Sequence, residues 1–283
     1  MNKVIVILGP TASGKTNLAI KLALELGGEI ISADSRQIYK YLDIGTGKVK
    51  EEEKKGIIHH GIDIVDPKKN FSVIQYQKYA LKKIKEIIKK GKVPIICGGT
   101  GFYIDAITRN FILPEVKPNL KLRKELSKNT PEKNFEILKS LDSDRAKNID
   151  SKNNVRLIRA IEIAKALGKV PRILDQKSKY KFLKIGLKVE KEKLEKNINK
   201  RVKQMFKEGL EEEVENLKKM GIKESRLKDF GFEYYNPTLE SVISESKKYA
   251  KRQMTYFKKD KNINWIESKN YKEIKALISS FLL

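Results

Sequence analysis

The sequence predicts an α/β fold, in which a parallel sheet is flanked by helices and carries a mainly helical insertion. Three observations support this prediction. Short β-rich runs alternate with helical stretches through residue 110, the texture becomes helical and highly charged after Pro114, and a strand-like run returns at 181–189. Alternation of strand and helix is typical of parallel sheets with helices on both faces.

The first strand is predicted at KVIVIL and is followed by the helix TNLAIKLALEL. A second strand follows at GEIISA. Further on, the helix YQKYALKKIKEIIKKG leads into the strand KVPIICGG. Each strand is short and rich in β-branched residues, and each helix repeats its apolar residues with a helical period. We therefore expect residues 1–114 to begin the sheet.

Residues 115–178 are predicted to form a helical insertion. Helical patterns occur at 119–128, 132–141 and 154–167, and Gly168 and Pro171 end the last of them. The chain is expected to re-enter the sheet at 181–189. Long helices then follow, before a final edge strand at INWIES. We therefore assign 1–114 and 179–283 to the core, and 115–178 to the insertion.

Composition excludes several classes of protein. No apolar segment approaches the ~20 residues that span a bilayer, and the single cysteine, Cys97, allows neither an internal disulfide nor a Cys-rich zinc module. His59 and His60 lack partners at metal-ligand spacing and are expected in a surface loop. A cytosolic enzyme is the simplest class. The net charge of +25 favours polyanionic partners, although a lysine-rich composition alone leaves that question open.

The segment GPTASGKT is predicted to bind phosphate. Gly9, Gly14, Lys15 and Thr16 match the pattern G-x-x-x-x-G-K-[ST] between a predicted strand and helix, as in P-loop NTPase-like folds. Backbone N–H groups would surround phosphate oxygens, Lys15 would add a positive charge, and the Thr16 hydroxyl would bind Mg²⁺. Diphosphates and triphosphates both fit this motif.

A single acid, Asp34, follows the second predicted strand. The carboxyl ends of parallel strands meet at one edge of a sheet, where ligands bind, so Asp34 is expected close to Lys15. There it could accept a proton or bind a water of Mg²⁺. Asp-Ser is also common as a helix cap, and that alternative stays open.

The second acid that phosphoryl-transfer enzymes carry at a strand end is missing. The strand VPIIC runs into Gly98-Gly99-Thr100-Gly101 instead. Thr100 offers a hydroxyl that can donate and accept hydrogen bonds. Asp63 and Asp66 are possible substitutes, but they lie beside Pro67 in a predicted surface loop. This pattern weakens the interpretation of the protein as a kinase.

Six segments, GPTASGKT, ISADSRQIY, DIGTGK, HHGIDIVDP, CGGTGFY and YAKRQMTYF, occur in this order. Together they resemble the tRNA dimethylallyltransferases of bacterial type, also called isopentenyl-tRNA transferases. The resemblance implies transfer of a dimethylallyl group from dimethylallyl diphosphate to N6 of adenine 37, beside the anticodon of tRNAs that read codons beginning with U. The phosphate group would then be a leaving group. It also implies Mg²⁺ as cofactor and the tRNA anticodon stem-loop as partner, with no obligate protein partner.

The resemblance also implies roles for particular residues. Asp34 would be the base, Thr100 would orient the adenine amine, and Lys15 and Arg201 would act on the diphosphate. The residues implied to bind diphosphate are Gly9, Pro10, Thr11, Ala12, Ser13, Gly14, Lys15, Thr16 and Arg201, with Thr16 as metal ligand. Those implied to bind tRNA are Asp34, Ser35, Arg36, Gln37, Thr100, Arg123, Asn154, Val155, Arg156, Leu157, Ile158, Arg252 and Gln253.

One block departs from the family pattern. Before the last helices the family usually has Gly-Tyr-Lys-Glu, whereas residues 229–234 keep a glycine and an aromatic residue but lose the lysine. Three alternatives remain from the sequence. The first is an isopentenyltransferase acting on free AMP, the second is a P-loop small-molecule kinase, and the third is a non-catalytic RNA-binding module.

Overall fold

The computed structural model of the protein describes residues 2–283, and the chain divides into two compact units. The larger unit contains the residues up to Asn110 and from Lys177 onward, and the smaller contains Phe111–Gln176. The division expected from the sequence lies a few residues further along the chain at both boundaries.

The larger unit is built on a six-stranded parallel sheet, as predicted. Its strand order is β3-β2-β4-β1-β5-β6, and every neighbouring pair is parallel. The last predicted strand forms one edge. The other edge is the pair of histidines that we expected in a loop, so that expectation was wrong. The strands are β1 (Lys3–Leu8), β2 (Gly28–Ser32), β3 (His59–His60), β4 (Val93–Gly98), β5 (Lys181–Lys188) and β6 (Ile263–Glu267).

Side chains alternate between two cores on the two faces of this sheet. In β1, Val4 and Val6 point to one face, and Ile5 and Ile7 point to the other. All four are fully buried, because helices cover both faces. The helices of this unit are α1 (Lys15–Leu26), α2 (Glu51–Lys54), α3 (Val73–Lys89), α4 (Gly101–Thr108), α9 (Lys191–Lys207), α10 (Leu210–Lys219), α11 (Glu224–Phe230), α12 (Leu239–Phe257) and α13 (Tyr271–Leu282).

The smaller unit is helical throughout its regular structure. Its core is formed by apolar side chains that include Leu126, Leu138 and Leu157. The side chains of Asn119, Thr130, Asp142 and Asn153 each cap a helix N-terminus, which satisfies N–H groups that lack intrahelical partners. The helices are α5 (Leu120–Leu126), α6 (Pro131–Leu141), α7 (Ser143–Lys147) and α8 (Asn154–Leu167).

The topology brings three loops to the carboxyl edge of the larger sheet. β1, β2 and β4 are neighbours in the order β2-β4-β1, and each ends at this edge. The phosphate-loop motif follows β1, Asp34 follows β2 and the Gly-Gly-Thr-Gly segment follows β4. Three segments that are far apart in sequence are therefore adjacent in space.

Candidate active site

A pocket of about 800 Å³, counting its open mouth, lies at this edge of the larger unit. Lys15, Asp34 and Arg201 all line it, together with side chains of α9 and α12. Thr100 lies directly behind the turn that contains Asp34. The structure thus brings together the four residues expected to be catalytic.

The phosphate loop presents N–H and hydroxyl donors. Gly14 precedes α1 with a φ of 85°, in the left-handed region that glycine adopts without strain, and no side chain caps this helix. The first N–H groups of α1 therefore lack intrahelical partners and suit an anion. Ser13 is 4% exposed, and its Oγ has no hydrogen-bond partner among residues 2–283. A buried hydroxyl without a partner fits a loop that receives ligand oxygens.

Lys15 and Thr16 occupy the floor of the pocket. Lys15 Nζ donates to the carbonyl of Pro10 at 3.0 Å, which holds the ammonium group across the loop. Burial lowers the pKa of Lys15, the Arg201 charge lowers it further, and Asp34 opposes this. Cys97 also lines the pocket, and burial raises the pKa of its thiol to about 11, so the thiol stays neutral. Two cationic side chains in one pocket favour a polyanionic ligand.

Asp34 serves both as a cap and as a free acceptor. Its Oδ1 accepts from the backbone N–H of Arg36 at 2.9 Å and from that of Gln37 at 3.4 Å. Its Oδ2 accepts no hydrogen bond from the described part of the chain. The turn therefore fixes one carboxylate oxygen and leaves the other available to a ligand. The two interpretations left open by the sequence are compatible.

Thr100 connects the end of β4 to the end of β2. Its Oγ1 accepts from the backbone N–H of Ser35 at 3.0 Å, and its own N–H donates to the carbonyl of Ala33 at 3.1 Å. Gly98 is required here, because a Cβ at this position would overlap the backbone of Ala33. The hydroxyl of Thr100 also donates to Ser35 Oγ at 3.4 Å. Thr100 thus holds the Asp34 turn in place.

Arg201 reaches the pocket from α9. Its Nη2 donates to the carbonyl of Thr46 at 3.0 Å, and its guanidinium lies so close to Gly47 that a Cβ there would overlap it. Burial lowers the pKa of Arg201, while Asp34 and Glu233 counteract this effect, and a guanidinium stays charged in any case. Arg201 is therefore an ordered cation facing the same space as Lys15.

The block that departs from the family pattern forms another wall. Glu233 is 8% exposed and pairs with Arg36 at 2.5 Å between Nη1 and Oε2. The Arg36 guanidinium lies 5.3 Å from the ring centre of Phe232 and 5.4 Å from that of Tyr249. Burial lowers the pKa of Arg36, but Glu233, together with smaller contributions from Tyr249, Asp34 and Tyr234, outweighs burial and the pKa is raised. In place of the missing lysine, this wall carries a largely buried ion pair whose guanidinium lies over two aromatic rings.

Two glutamines that were expected to contact RNA form hydrogen bonds with backbone groups of the protein. Gln37 Nε2 donates to the carbonyls of Thr46 and Gly47, each at 3.3 Å. Gln253 is 6% exposed, and its amide bonds to the N–H of Thr11 at 2.8 Å and the carbonyl of Gly99 at 3.0 Å. Gln253 therefore positions the phosphate loop, and a direct contact with RNA does not fit its buried amide, whose oxygen and nitrogen both have partners in the protein. Arg252 is exposed and lies 3.9 Å from Glu245.

In the smaller unit, the segment expected at the RNA divides between surface and core. Val155 and Arg156 are exposed, whereas Leu157 is fully buried and Ile158 is half-buried against the same core. The expectation that the Leu157 side chain contacts RNA was wrong. Successive residues of a helix point in different directions, so a continuous segment cannot lie wholly on the surface. The Asn154 side chain binds Asn134 at 2.7 Å. Asn154 is thus a structural residue in this unit.

Arg123 lies on the surface in a fixed position. Its Nε and Nη2 donate to the two carboxylate oxygens of Glu162 at 2.9 and 2.8 Å. Burial of Glu162 disfavours its charge, but Arg123, the N–H of Asn119 and Arg159 outweigh this and hold its pKa at about 2. The Arg123 side chain is 40% exposed. Arg123 is therefore an oriented cation at the surface of the smaller unit.

Sequence reasoning missed Glu213 and Glu233. Glu213 lies on α10 between the buried residues Leu210 and Val214, and it accepts hydrogen bonds from the loop that carries Thr46. The sequence signal that could have identified Glu213 is a charged residue next to the apolar face of a predicted helix.

Asp63 and Asp66 do not line the pocket. Asp63 pairs with Lys48 at 2.5 Å, and Asp66 accepts from the N–H of Lys68 at 2.7 Å.

Within residues 2–283, no group of three or more His, Cys, Asp or Glu side chains could hold a metal ion by itself. None of the helices in this range is long and apolar enough to cross a membrane.

Comparison with known proteins identifies the family. The model of the family described as IPP transferase matches residues 37–260. A curated tRNA dimethylallyltransferase of Acetivibrio thermocellus is 41% identical over 301 residues, covering 99% of this chain and 96% of the relative. A curated tRNA dimethylallyltransferase of Finegoldia magna is 43% identical and covers 97% of this chain and 94% of the relative.

A solved structure shares the fold over the whole chain. The tRNA isopentenylpyrophosphate transferase of Bacillus halodurans has a TM-score of 0.74 at 35% identity, covering 100% of this chain and 97% of that one. A match of this extent at this identity confirms the P-loop-like fold predicted from the motif. Together with the family model, it confirms the resemblance carried by the order of the motifs, and the chain belongs to the IPP transferase family.

Proposed function

We propose that the protein is a tRNA dimethylallyltransferase. It transfers a dimethylallyl group from dimethylallyl diphosphate to N6 of adenine 37 in tRNAs reading codons that begin with U, and it releases diphosphate. One observation carries the proposal. Groups suited to a diphosphate, at Lys15 and Arg201, face the same pocket as the Asp34 turn, whose carboxylate has a free oxygen. The names of the curated relatives support a dimethylallyl group as the group transferred and tRNA as the acceptor.

The chemistry follows from these positions. The N6 lone pair attacks C1 of the allylic group, and the C–O bond to diphosphate breaks, with both electrons remaining on the oxygen. Lys15 and Arg201 bind oxygens on which negative charge grows, so they stabilise the transition state more than the ground state. The N6 proton passes to Oδ2 of Asp34. Thr100 orients the amine through its hydroxyl and holds the Asp34 turn through Ser35.

The residues present fit Mg²⁺. Thr16 and Asp34 offer oxygen ligands in one pocket, and Mg²⁺ usually takes only one or two ligands from protein and the rest from phosphate and water. Thr16 would hold the ion, and Asp34 could accept from one of its waters. When bound, Mg²⁺ supplies positive charge that offsets the charge of the diphosphate. Side chains of the protein carry out the other steps, which are binding of the diphosphate, orientation of the amine and transfer of its proton.

The pocket wall formed by Arg36, Phe232 and Tyr249 suits an extruded base. An adenine in an anticodon loop is stacked, so it must leave the stack before its N6 can react. Proteins hold such bases against aromatic rings and guanidinium planes. In the smaller unit, we propose that the exposed residues Val155 and Arg156 and the half-buried Arg123 contact the anticodon arm. All proposed catalytic groups come from one chain, so no protein partner is needed. We also propose that the reaction takes place in the cytoplasm.

The test is incubation with dimethylallyl diphosphate, Mg²⁺ and an unmodified anticodon stem-loop carrying adenines at positions 36 to 38. Mass spectrometry of the digested RNA should show N6-(dimethylallyl)adenosine. If folded protein yields none, the proposal is wrong. A parallel reaction with AMP tests the alternative acceptor, and one with ATP and radiolabelled γ-phosphate tests phosphoryl transfer. Preference for AMP or transfer of phosphate would identify the corresponding alternative.

A further inference from the structure

One carboxylate collects four hydrogen bonds outside the pocket. Glu213, in the first turn of α10, accepts from the backbone N–H groups of Asp43, Ile44 and Gly45 at 2.8, 2.7 and 3.0 Å. It also accepts from the hydroxyl of Tyr234 at 2.8 Å. Charge-assisted bonds of this length are about twice as strong as neutral ones, and three of them converge on successive peptide groups. Glu213 therefore determines the conformation of the loop 43–47.

The opposite side of the same loop faces the pocket. The carbonyl of Thr46 accepts from Arg201 at 3.0 Å and from Gln37 at 3.3 Å. One side of the loop therefore presents N–H groups to the Glu213 carboxylate, and the other side presents the Thr46 carbonyl to the Arg201 guanidinium. Rotating these peptide groups would move the Thr46 carbonyl away from the guanidinium. The loop connects Glu213 to Arg201, although the two side chains share no hydrogen bond in the described structure.

Two close approaches keep the loop in place. A Cβ at Gly45 would lie 2.7 Å from the ring of Tyr234, and a Cβ at Gly47 would overlap the guanidinium of Arg201. Tyr234 is fully buried; burial, followed by the charge of Glu213, raises its pKa well above the usual value. Its hydroxyl is therefore a constant donor to Glu213. The loop is packed between a tyrosine held by Glu213 and the arginine of the pocket.

We infer that Glu213 is a positioning residue for Arg201 and, through it, for the diphosphate. It fixes the peptide groups of loop 43–47 so that the Thr46 carbonyl holds the guanidinium facing Lys15. The role of Arg201 toward diphosphate rests on the proposed function. Glu213 itself does not line the pocket, so its removal should act on diphosphate through Arg201 alone.

A residue that only stabilised the fold would behave differently. Its substitution would lower the melting temperature and reduce every activity of the protein, with or without Arg201. A positioning residue loses its effect once the group it positions has been changed. A double-mutant cycle separates the two cases, because it measures the coupling between two positions.

The experiment measures binding of inorganic diphosphate with Mg²⁺ by calorimetry, so it needs no turnover. The variants are Glu213→Gln, Arg201→Lys and their double mutant. Glu211→Gln is the matched control, since it makes the same change in the same helical turn, at an exposed position that makes no contact with the loop. We expect Glu213→Gln to weaken diphosphate binding about tenfold, because a neutral amide replaces the acceptor of three N–H groups. The control should bind like the wild type.

In the double mutant, diphosphate binding should be within about twofold of Arg201→Lys alone. Losses that multiply instead would overturn the inference, as would unchanged binding in Glu213→Gln. If Glu213→Gln does not fold, Tyr234→Phe enters the same cycle, removes one of the four hydrogen bonds and should give a smaller loss of the same kind. Binding of an anticodon stem-loop should be retained in Glu213→Gln. An inactive wild type that binds diphosphate through Arg201 would refute the proposed function and leave this inference standing.

Discussion

The side-chain oxygen of Gln253 accepts from the backbone N–H of Thr11 at 2.8 Å, across 242 positions of sequence. The nitrogen of the same amide donates to the carbonyl of Gly99 at 3.0 Å. One buried amide thus holds the phosphate loop and the Gly-Gly-Thr-Gly segment in register. The position of the phosphate loop relative to Thr100 depends on this bridge.

Replacing Gln253 with Leu should impair both binding and stability. The variant leaves the Thr11 N–H and the Gly99 carbonyl without partners in a buried place, which costs about 1–3 kcal/mol in the free energy of unfolding. We expect kcat/KM for the tRNA reaction to fall at least tenfold, with denaturant titration and steady-state kinetics as the measurements. Lys251→Gln, on an exposed position of α12, is the control and should change neither quantity. Wild-type kinetics in Gln253→Leu would contradict the bridge.

Asp34→Asn tests the base. The amide keeps the size of the side chain, and its oxygen can still accept from the Arg36 N–H, but it cannot take a proton. We expect kcat to fall by about 10² to 10⁴, the usual range for a general base. Affinities for diphosphate and for the anticodon stem-loop should stay within a few fold.

The matched variant for Asp34 is Thr100→Val, which removes the acceptor of the Ser35 N–H and leaves the carboxylate. Its loss of kcat should be smaller than that of Asp34→Asn. Equal losses of binding and turnover in Asp34→Asn would assign the residue to substrate binding, and the proton would need another acceptor.

The sequence predicted what depends on local pattern. Alternating strands and helices produce the parallel sheet, and a polar residue directly after a strand must lie at its carboxyl edge, so Asp34 and the phosphate loop were found together. Glu213 binds backbone groups 168 to 170 positions away in sequence, and Gln253 binds groups 154 and 242 positions away. Contacts over such separations leave no periodic signal in the sequence. Leu157 was wrongly expected to contact RNA because the whole segment 154–158 was assigned from the family resemblance. Five residues exceed one helical turn and cannot all face outward.

Glu29 makes stability depend on pH. This fully buried carboxylate accepts from His60 Nε2 at 2.7 Å, Lys92 at 2.9 Å and Lys90 at 3.2 Å. Burial alone would raise its pKa, but His60, Lys92 and Lys90 together hold it at about 2, below the ordinary 4.5. A carboxylate with a lowered folded pKa stabilises the protein above the unfolded pKa. Its contribution, about 3 kcal/mol, is lost as the pH falls from 4.5 toward 2.

Chemical unfolding of Glu29→Gln against the wild type checks this dependence. The difference in unfolding free energy should be constant above pH 5 and should shrink as the pH falls toward 2. Glu273→Gln, an exposed carboxylate in the same unit, should show no comparable trend. A difference that stays constant down to pH 2 would mean that Glu29 does not titrate in this range.

Arg156 and Leu157 are adjacent on α8 but should affect different properties. Leu157→Ala creates a cavity in the core of the smaller unit and should cost about 2–5 kcal/mol of its stability. Arg156→Ala, at an exposed position, should leave stability unchanged and weaken binding of the anticodon stem-loop. Thermal unfolding and RNA titration measure the two effects. Unchanged RNA affinity in Arg156→Ala would remove this residue from the proposed interface.

The position of lysines should matter more for RNA binding than their number. Each of two helices contains, among its lysines, a set of four with the same spacing. They are Lys196, Lys200, Lys203 and Lys207 on α9, and Lys78, Lys82, Lys85 and Lys89 on α3. α9 borders the pocket, since Asn197 binds the carbonyl of Ala12 at 3.1 Å and Arg201 lies inside. α3 ends just before β4 begins, at the opposite edge of the sheet.

Changing all four lysines to Gln on α9 should therefore weaken binding of the anticodon stem-loop. It should also reduce the slope of log affinity against log salt by about 3, because each phosphate contact contributes about 0.7–0.9. The same change on α3 removes equal charge and serves as the matched control, with an expected change in slope of less than 1. Fluorescence titrations between low and moderate salt provide the measurement. Equal losses from the two variants would show that RNA binding responds to the net charge of the protein and not to the surface beside its pocket.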